Sequence, residues 1–237
     1  MLFRSYMNIA LIIAGGVGNR FGADIPKQFV EVEHKPIMAY TLETFEQTME
    51  IDSIVVVCVA SWESYIERLK NKFGFNKVVS IITGGNSRFE SIKKGLDEAN
   101  KFTEADDDII IIHDAVRPCV TSDQINSSIL VAREQGAALA LAPCFDTMFV
   151  SEDGNIIDGV YPREKLFRGQ TPESICISLA NEVYNIAIDE GYCIDSPTQL
   201  LLHYNKPVGK SLGSSNNLKI TTQEDIMLFK TILTDRR

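Results

Sequence analysis

Short β-branched runs alternate with amphipathic stretches through the first 142 residues, and few folds can use that pattern. Residues 8–14 (NIALIIA) form an apolar run that ends in Gly15-Gly16. Pro36 opens a helical stretch with Met38, Leu42 and Phe45 on one face. A second strand is expected over residues 54–59. A helix follows with Trp62, Tyr65, Ile66, Leu69 and Phe73 at helical spacing. Further strands are expected at 78–82, 109–113 and 138–142, and helices at 87–100 and 122–135. This alternation predicts an α/β fold: a doubly wound, mostly parallel sheet of Rossmann-like type. Such sheets bind ligands beyond the carboxyl ends of their strands, at a switch point.

The alternation breaks at Cys144. Residues 147–150, a turn at Glu152-Asp153-Gly154-Asn155 and residues 156–161 predict a protruding β-hairpin arm at about 145–163. It reads as having few apolar positions to bury within one domain of its own, and an isolated hairpin is marginal in water. It is therefore expected to pack on a partner. The remainder is expected to return to helix, strand and helix. The last helix has a capping box at Thr221-Thr222-Gln223-Glu224 and a core face of Ile226, Phe229 and Leu233. With no repeat or linker in sight, residues 1–237 are expected to form a single domain.

Composition narrows the partners. The chain is 45% hydrophobic, which excludes a disordered chain. Its net charge of −9 disfavours nucleic acid and anionic membranes, so a site for an anionic substrate must be a local basic patch. Cys58, Cys119, Cys144, Cys176 and Cys193 are scattered and form no CxxC pair, which reads as reduced thiols of a cytoplasmic protein. His34, His113 and His203 have no zinc-ligand spacing. The apolar run at the start is too short for a signal peptide and reads as the first strand.

The loop Gly15-Gly16-Val17-Gly18-Asn19-Arg20-Phe21-Gly22 admits three readings. As GxGxxxG it weakly matches a dinucleotide fingerprint, but no acidic strand end follows at the required distance. As a tight turn it needs no ligand. As a phosphate loop it offers backbone N–H groups, with Arg20 and Lys27 supplying charge. Two cations close to it, pinned by Pro26, favour the phosphate loop.

Residues 14–22 with Pro26-Lys27-Gln28 resemble the opening of a known enzyme family. It is that of the sugar-nucleotidyltransferase-like cytidylyltransferases, which act on ribitol 5-phosphate or 2-C-methyl-D-erythritol 4-phosphate. The likeness continues through Gly84-Gly85-Asn86-Ser87-Arg88, His113-Asp114-Ala115-Val116-Arg117-Pro118, Gln170-Thr171-Pro172 and Asn217-Leu218-Lys219-Ile220-Thr221.

The resemblance implies CMP transfer from CTP to a small polyol phosphate, with Mg²⁺ as cofactor. Arg20, Lys27 and Lys219 correspond to the catalytic cations. Ala14, Gly15, Gly16, Gly18, Gly85, Asn86 and Ser91 correspond to the nucleotide site, although Ser91 also reads as a solvated helix serine. Asp114 corresponds to the Mg²⁺ ligand at the ribose or polyol edge. Asp114, Thr147, Arg163, Thr171 and Asp195 correspond to the acceptor site. Arg88 and Arg117 fit either the site or a loop-pinning ion pair. His113 reads as a hydrogen-bonded strand-end histidine. In relatives the arm crosses to a second subunit, so a homodimer with exchanged arms is expected.

Two departures stand out. Asn216 replaces a carboxylate that relatives carry, which bears on the metal shell. Ile194 replaces a threonine, which implies a different polyol or a site repacked around Arg163. Ribitol 5-phosphate is the first-choice acceptor and 2-C-methyl-D-erythritol 4-phosphate the alternative. A catalytically silent nucleotide-binding protein is the reading from another class.

Overall fold

The computed structural model describes residues 6–16 and 25–235. In chain order it contains β1 (Asn8–Ala14), a small hairpin of β2 (Glu31–Val32) and β3 (Lys35–Pro36), α1 (Ile37–Gln47), β4 (Ser53–Cys58), α2 (Glu63–Phe73) and β5 (Val78–Thr83). Next come α3 (Arg88–Ala99), β6 (Ile109–Asp114), α4 (Ser122–Gln135) and β7 (Ala137–Pro143). The arm strands are β8 (Met148–Val150) and β9 (Gly159–Tyr161). The chain ends with β10 (Phe167–Cys176), α5 (Ile177–Asp189), α6 (Pro197–His203), β11 (Gly209–Leu212) and α7 (Gln223–Asp235).

The central sheet has the order β11-β7-β10-β6-β1-β4-β5. Its pairs are parallel except where β10 runs antiparallel between β6 and β7. From β1 the chain winds outward through β4 and β5, then returns to the other side of β1 as β6. That reversal is the switch point, and it puts the carboxyl ends of β1 and β6 side by side.

Both faces of β1 are buried, which explains its unbroken apolar run. Ala10, Ile12 and Ala14 join a core with Met38, Leu42 and Phe45 of α1, Ile66 of α2 and Ile125 of α4. Ile9 and Leu11 face the opposite core, with Ile92 of α3, Val183 of α5 and Leu200 of α6. Each fully buried aliphatic side chain contributes about 1.5–3 kcal/mol. A third cluster holds Val32, Ile37, Val116 and Ile220 against Phe229 of α7, with Ile226 and Leu233 partly buried beside it.

Three expectations need correction. Residues 167–176 form a central strand where the sequence pattern had suggested none. Pro172 and Glu173 disguise it, and the ladder register shifts between Gln170 and Glu173, where a residue without N–H is tolerated. Both Glu224 and Asp225 lie in the first turn of α7, and it is Asp225 rather than Glu224 that holds the Thr221 backbone. Its Oδ2 accepts from the backbone N–H groups of Thr221 and Thr222 and from the Thr221 hydroxyl. The arm is rich in apolar residues that its own chain leaves uncovered. Phe145, Met148, Phe149, Ile156, Ile157, Val160 and Tyr161 are all exposed.

Candidate active site

A cavity of about 300 Å³ opens at the switch point. Ala14, Gly15 and Gly16 after β1, Gly85 to Arg88 after β5, Asp114 at the end of β6, Lys27 and Lys219 all line it. Its size suits a small-molecule ligand.

Two glycine turns form one wall, and each is fixed by a buried polar side chain. Gln28 Nε2 donates to the carbonyls of Ala14 (2.6 Å) and Gly16 (3.1 Å). Ser91 Oγ accepts the Gly85 N–H at 3.0 Å. Ser91 is buried, so it is not a solvated helix serine. Gly85 is required by close approach, since a Cβ there would lie 2.3 Å from Glu90 Cβ. Ser87 caps α3 by accepting the Glu90 N–H, while Glu90 Oε2 accepts the Asn86 N–H. The start of α3 therefore presents its first turn to the cavity.

Asp114 is the centre of charge. Its Oδ1 lies 3.1 Å from Arg88, and its Oδ2 lies 2.9 Å from Lys219 and 3.5 Å from Arg117. Burial alone would raise this carboxyl, but the Arg88, Lys219 and Arg117 cations hold it well below the usual carboxylate range. Arg88 also faces Glu173 at 3.6 Å. With Lys27, four cations here oppose the two carboxylates Asp114 and Glu173. The result is a cationic patch on an anionic chain, suited to phosphate.

The segment bearing Lys219 is held by side chains rather than by a helix or strand. Gln170 brackets Ser214, accepting its N–H at 3.1 Å and donating to its carbonyl at 2.8 Å. Asn217 donates to the Thr171 carbonyl, and its own carbonyl accepts from Arg117 at 2.8 Å. Ile220 N–H bonds the Val116 carbonyl. Thus β10 and the loop after β6 together aim Lys219 at Asp114.

The expected residues divide into four groups. Ala14, Gly15, Gly16, Lys27, Gly85, Asn86, Ser91, Asp114 and Lys219 share the cavity. Gly18 and Arg20 lie outside the described residues. Thr171 sits behind the wall, its hydroxyl accepting the Asp114 N–H at 3.2 Å. Thr147 and Arg163 stand exposed on the arm and do not line the cavity within one chain.

Asp195 is exposed and acts electrostatically on Arg88. Ile194 is partly buried and packs against the core that contains Tyr184. Asn216 lines a separate groove with Cys119 and Gln124. His113 is fully buried, and burial pushes it down to about 3, so it is neutral and structural. Gln28 and Glu173 escaped sequence reasoning. Gln28 stands in the Pro-Lys-Gln motif and could have been found there, whereas nothing local marks Glu173.

No cluster of three metal-ligating side chains exists among the described residues. Asp114 is a single hard oxygen donor at the cavity, and both of its oxygens are already paired with Arg88, Lys219 and Arg117. That donor set fits a Mg²⁺ bound mainly through substrate oxygens.

Comparison with known proteins agrees with this geometry. The profile of the IspD family, 2-C-methyl-D-erythritol 4-phosphate cytidylyltransferase, matches residues 8–235. A ribitol-5-phosphate cytidylyltransferase of Streptococcus agalactiae is 38% identical over 229 residues, covering 95% of both chains. A 2-C-methyl-D-erythritol 4-phosphate cytidylyltransferase of Geotalea uraniireducens is 35% identical over 225 residues, covering 94% of this chain and 95% of that one. The fold matches the crystal structure of 4-diphosphocytidyl-2C-methyl-D-erythritol synthase from Anaerococcus prevotii. The TM-score is 0.83 at 24% identity, over 97% of this chain and 96% of that one.

Proposed function

The chain belongs to the IspD family of cytidylyltransferases, and from that premise we propose that it transfers CMP from CTP to ribitol 5-phosphate, releasing pyrophosphate. Nucleotidyl transfer to a polyol phosphate is the family's activity. The choice of ribitol rests on the similarity to the ribitol-5-phosphate enzymes of Streptococcus agalactiae and, at 37% identity, of Vibrio parahaemolyticus. 2-C-methyl-D-erythritol 4-phosphate is the second reading, supported by the family profile and the Geotalea relative.

The observation that carries the reading is Lys219 and Lys27 lining one cavity with Asp114 and two glycine turns, at the switch point of the sheet. The acceptor's phosphate is the nucleophile at the α-phosphorus of CTP. Its second pKa is about 6, so it is mostly dianionic at neutral pH and needs no general base. This suits a site whose one nearby histidine is buried and neutral. The barrier is repulsion between anions, about 4 kcal/mol for each unit pair at ~4 Å and an effective dielectric of 20. Lys27, Lys219 and Arg20 neutralise the phosphates as the new P–O bond forms and pyrophosphate leaves. The glycine turns supply N–H groups and admit the nucleotide closely. Carbonyls there can accept the cytosine amine, which uracil lacks. Asp114 would hold a Mg²⁺ that adds positive charge at the phosphates.

The deciding experiment measures pyrophosphate release with CTP, Mg²⁺ and a panel of polyol phosphates. We expect turnover with ribitol 5-phosphate. Silence with every acceptor at millimolar substrate would leave a nucleotide-binding protein. Turnover with methylerythritol phosphate alone would replace the acceptor and keep the reaction class.

A pH profile follows from the same chemistry. kcat/KM for the acceptor should rise with pH through about 6, as its phosphate loses the second proton, and then level off. Asp114 contributes no limb in this range, because its folded-state pKa is depressed. The stability it provides is present above the unfolded carboxylate pKa of about 3.9 and is lost only as pH falls further. A bell centred near neutrality would point to a protein acid or base instead.

The working unit in this reading is a homodimer with exchanged arms. Seven exposed apolar side chains on the arm support it, as does the place of Arg163 outside the residues that line the cavity. Cytoplasmic residence is proposed from the scattered, unpaired cysteines. Among the described residues no helix is long and apolar enough to cross a membrane.

A further inference from the structure

Glu173 is a carboxylate buried in the middle of a seven-stranded sheet, paired in register with Ile112 of β6 and Leu139 of β7. Removing a charge from water at such a place is costly unless partners compensate it. Here they do so on both oxygens. Oε2 accepts from the Ser196 hydroxyl (3.0 Å), the Thr198 hydroxyl (2.7 Å) and the Thr198 N–H (3.1 Å), all at the start of α6. Oε1 faces Arg88 at 3.6 Å, and Arg88 in turn meets Asp114 at 3.1 Å.

These contacts join the three segments that the family resemblance assigns to the acceptor. Asp114 is reached through Arg88. Thr171 lies two residues upstream on β10 and holds the Asp114 N–H. Asp195 immediately precedes Ser196, and its charge acts on Arg88. The two glycine turns of the nucleotide wall are fixed by Gln28 and Ser91, and Glu173 reaches that wall only through Arg88.

We infer that Glu173 is the positioning residue of the acceptor half of the site, tying the loop that carries Asp195 and the start of α6 to the Arg88–Asp114 pair. The inference rests on the proposed reaction for its kinetic readout but not for its structural one. A carboxylate is required because every partner is a donor. A glutamine of the same volume would turn an NH₂ toward either Arg88 or the α6 donors, and one of those contacts would be lost.

The test is Glu173→Gln in the full-length protein, with Ser196→Ala/Thr198→Val as a second variant that cuts the same tie from the other end. Both should raise the KM for the acceptor roughly tenfold or more. The KM for CTP should stay within about twofold, which general loss of structure would not allow. In Glu173→Gln the Thr198 amide should exchange hydrogen faster, while the Gly85 amide keeps its protection. Equal rises in both KM values, or no rise in either, would overturn the inference. A wild-type protein that turns over no polyol phosphate would strike the proposed function alone. Hydrogen exchange would then decide, since unchanged protection at Thr198 in Glu173→Gln would show that the tie is not made.

Discussion

Lys219→Ala and Lys27→Ala should each lower kcat/KM by about 10²–10³-fold while leaving the melting temperature nearly in place. The rate estimate is that for removing one preorganised donor from developing oxyanion charge, about 2.7–4 kcal/mol. The stability estimate comes from exposure. The Lys219 side chain is 41% exposed, and its ion pair with Asp114 is 2.9 Å long. An ion pair open to water on one side is worth about 0–1 kcal/mol. For a domain near this size that corresponds to a shift of at most about 4 °C. Asp114 also keeps Arg88 and Arg117 after the substitution, so no buried charge is left bare. The measurement is steady-state kinetics beside thermal unfolding. A large loss of both would mean that the lysine holds the loop after Asn217 in place. A loss of neither would remove Lys219 from the chemistry.

Arg88 should behave in the opposite way, because its position differs. It lies between two buried carboxylates, and cutting a buried pair on one side costs about 3–5 kcal/mol. Arg88→Ala should therefore lose stability as well as rate. The sequence left Arg88 open between a site role and a structural pin, and the geometry gives it both kinds of contact.

Legibility followed the range of the signals. β1, β4 and β6 were readable because burial on both faces writes an unbroken apolar run into a few consecutive residues. The Gly15-Gly16 turn followed, since it stands directly after β1, and Asp114 followed as the residue that closes β6. What could not be read depends on pairing across the chain. β10 carries Arg168, Gln170, Pro172 and Glu173, a composition that argues against a central strand. It is central because its neighbours satisfy those groups: Ser214 takes Gln170, and α6 takes Glu173. β10 went unread for the same reason that Glu173 was missed.

The arm allows a test that needs no structure of the dimer. Within one chain Arg163 is exposed and does not line the cavity with Lys27, so in the proposed dimer it is another chain's arm that brings an Arg163 to the site. Lys27→Ala and Arg163→Ala homodimers should each be almost inactive. When they are mixed under conditions that exchange subunits, a crossed heterodimer has one site with both lesions and one with neither. Random exchange makes half of the dimers mixed, and half of the sites in those are intact. Activity should then recover to roughly a quarter of wild type for a two-fold dimer. If Arg163 serves its own chain, every site in the mixture keeps one lesion and nothing recovers. Exchange must be shown independently, for example with a fluorescent label on each variant. A mixture that exchanges but stays inactive would end the shared-site reading and leave the cytidylyltransferase chemistry untouched. In the proposed dimer the exposed Phe149, Ile157 and Val160 would supply the driving force for assembly. At about 25 cal/mol per Å² of apolar surface, even partial burial of these side chains by a partner outweighs leaving them in water.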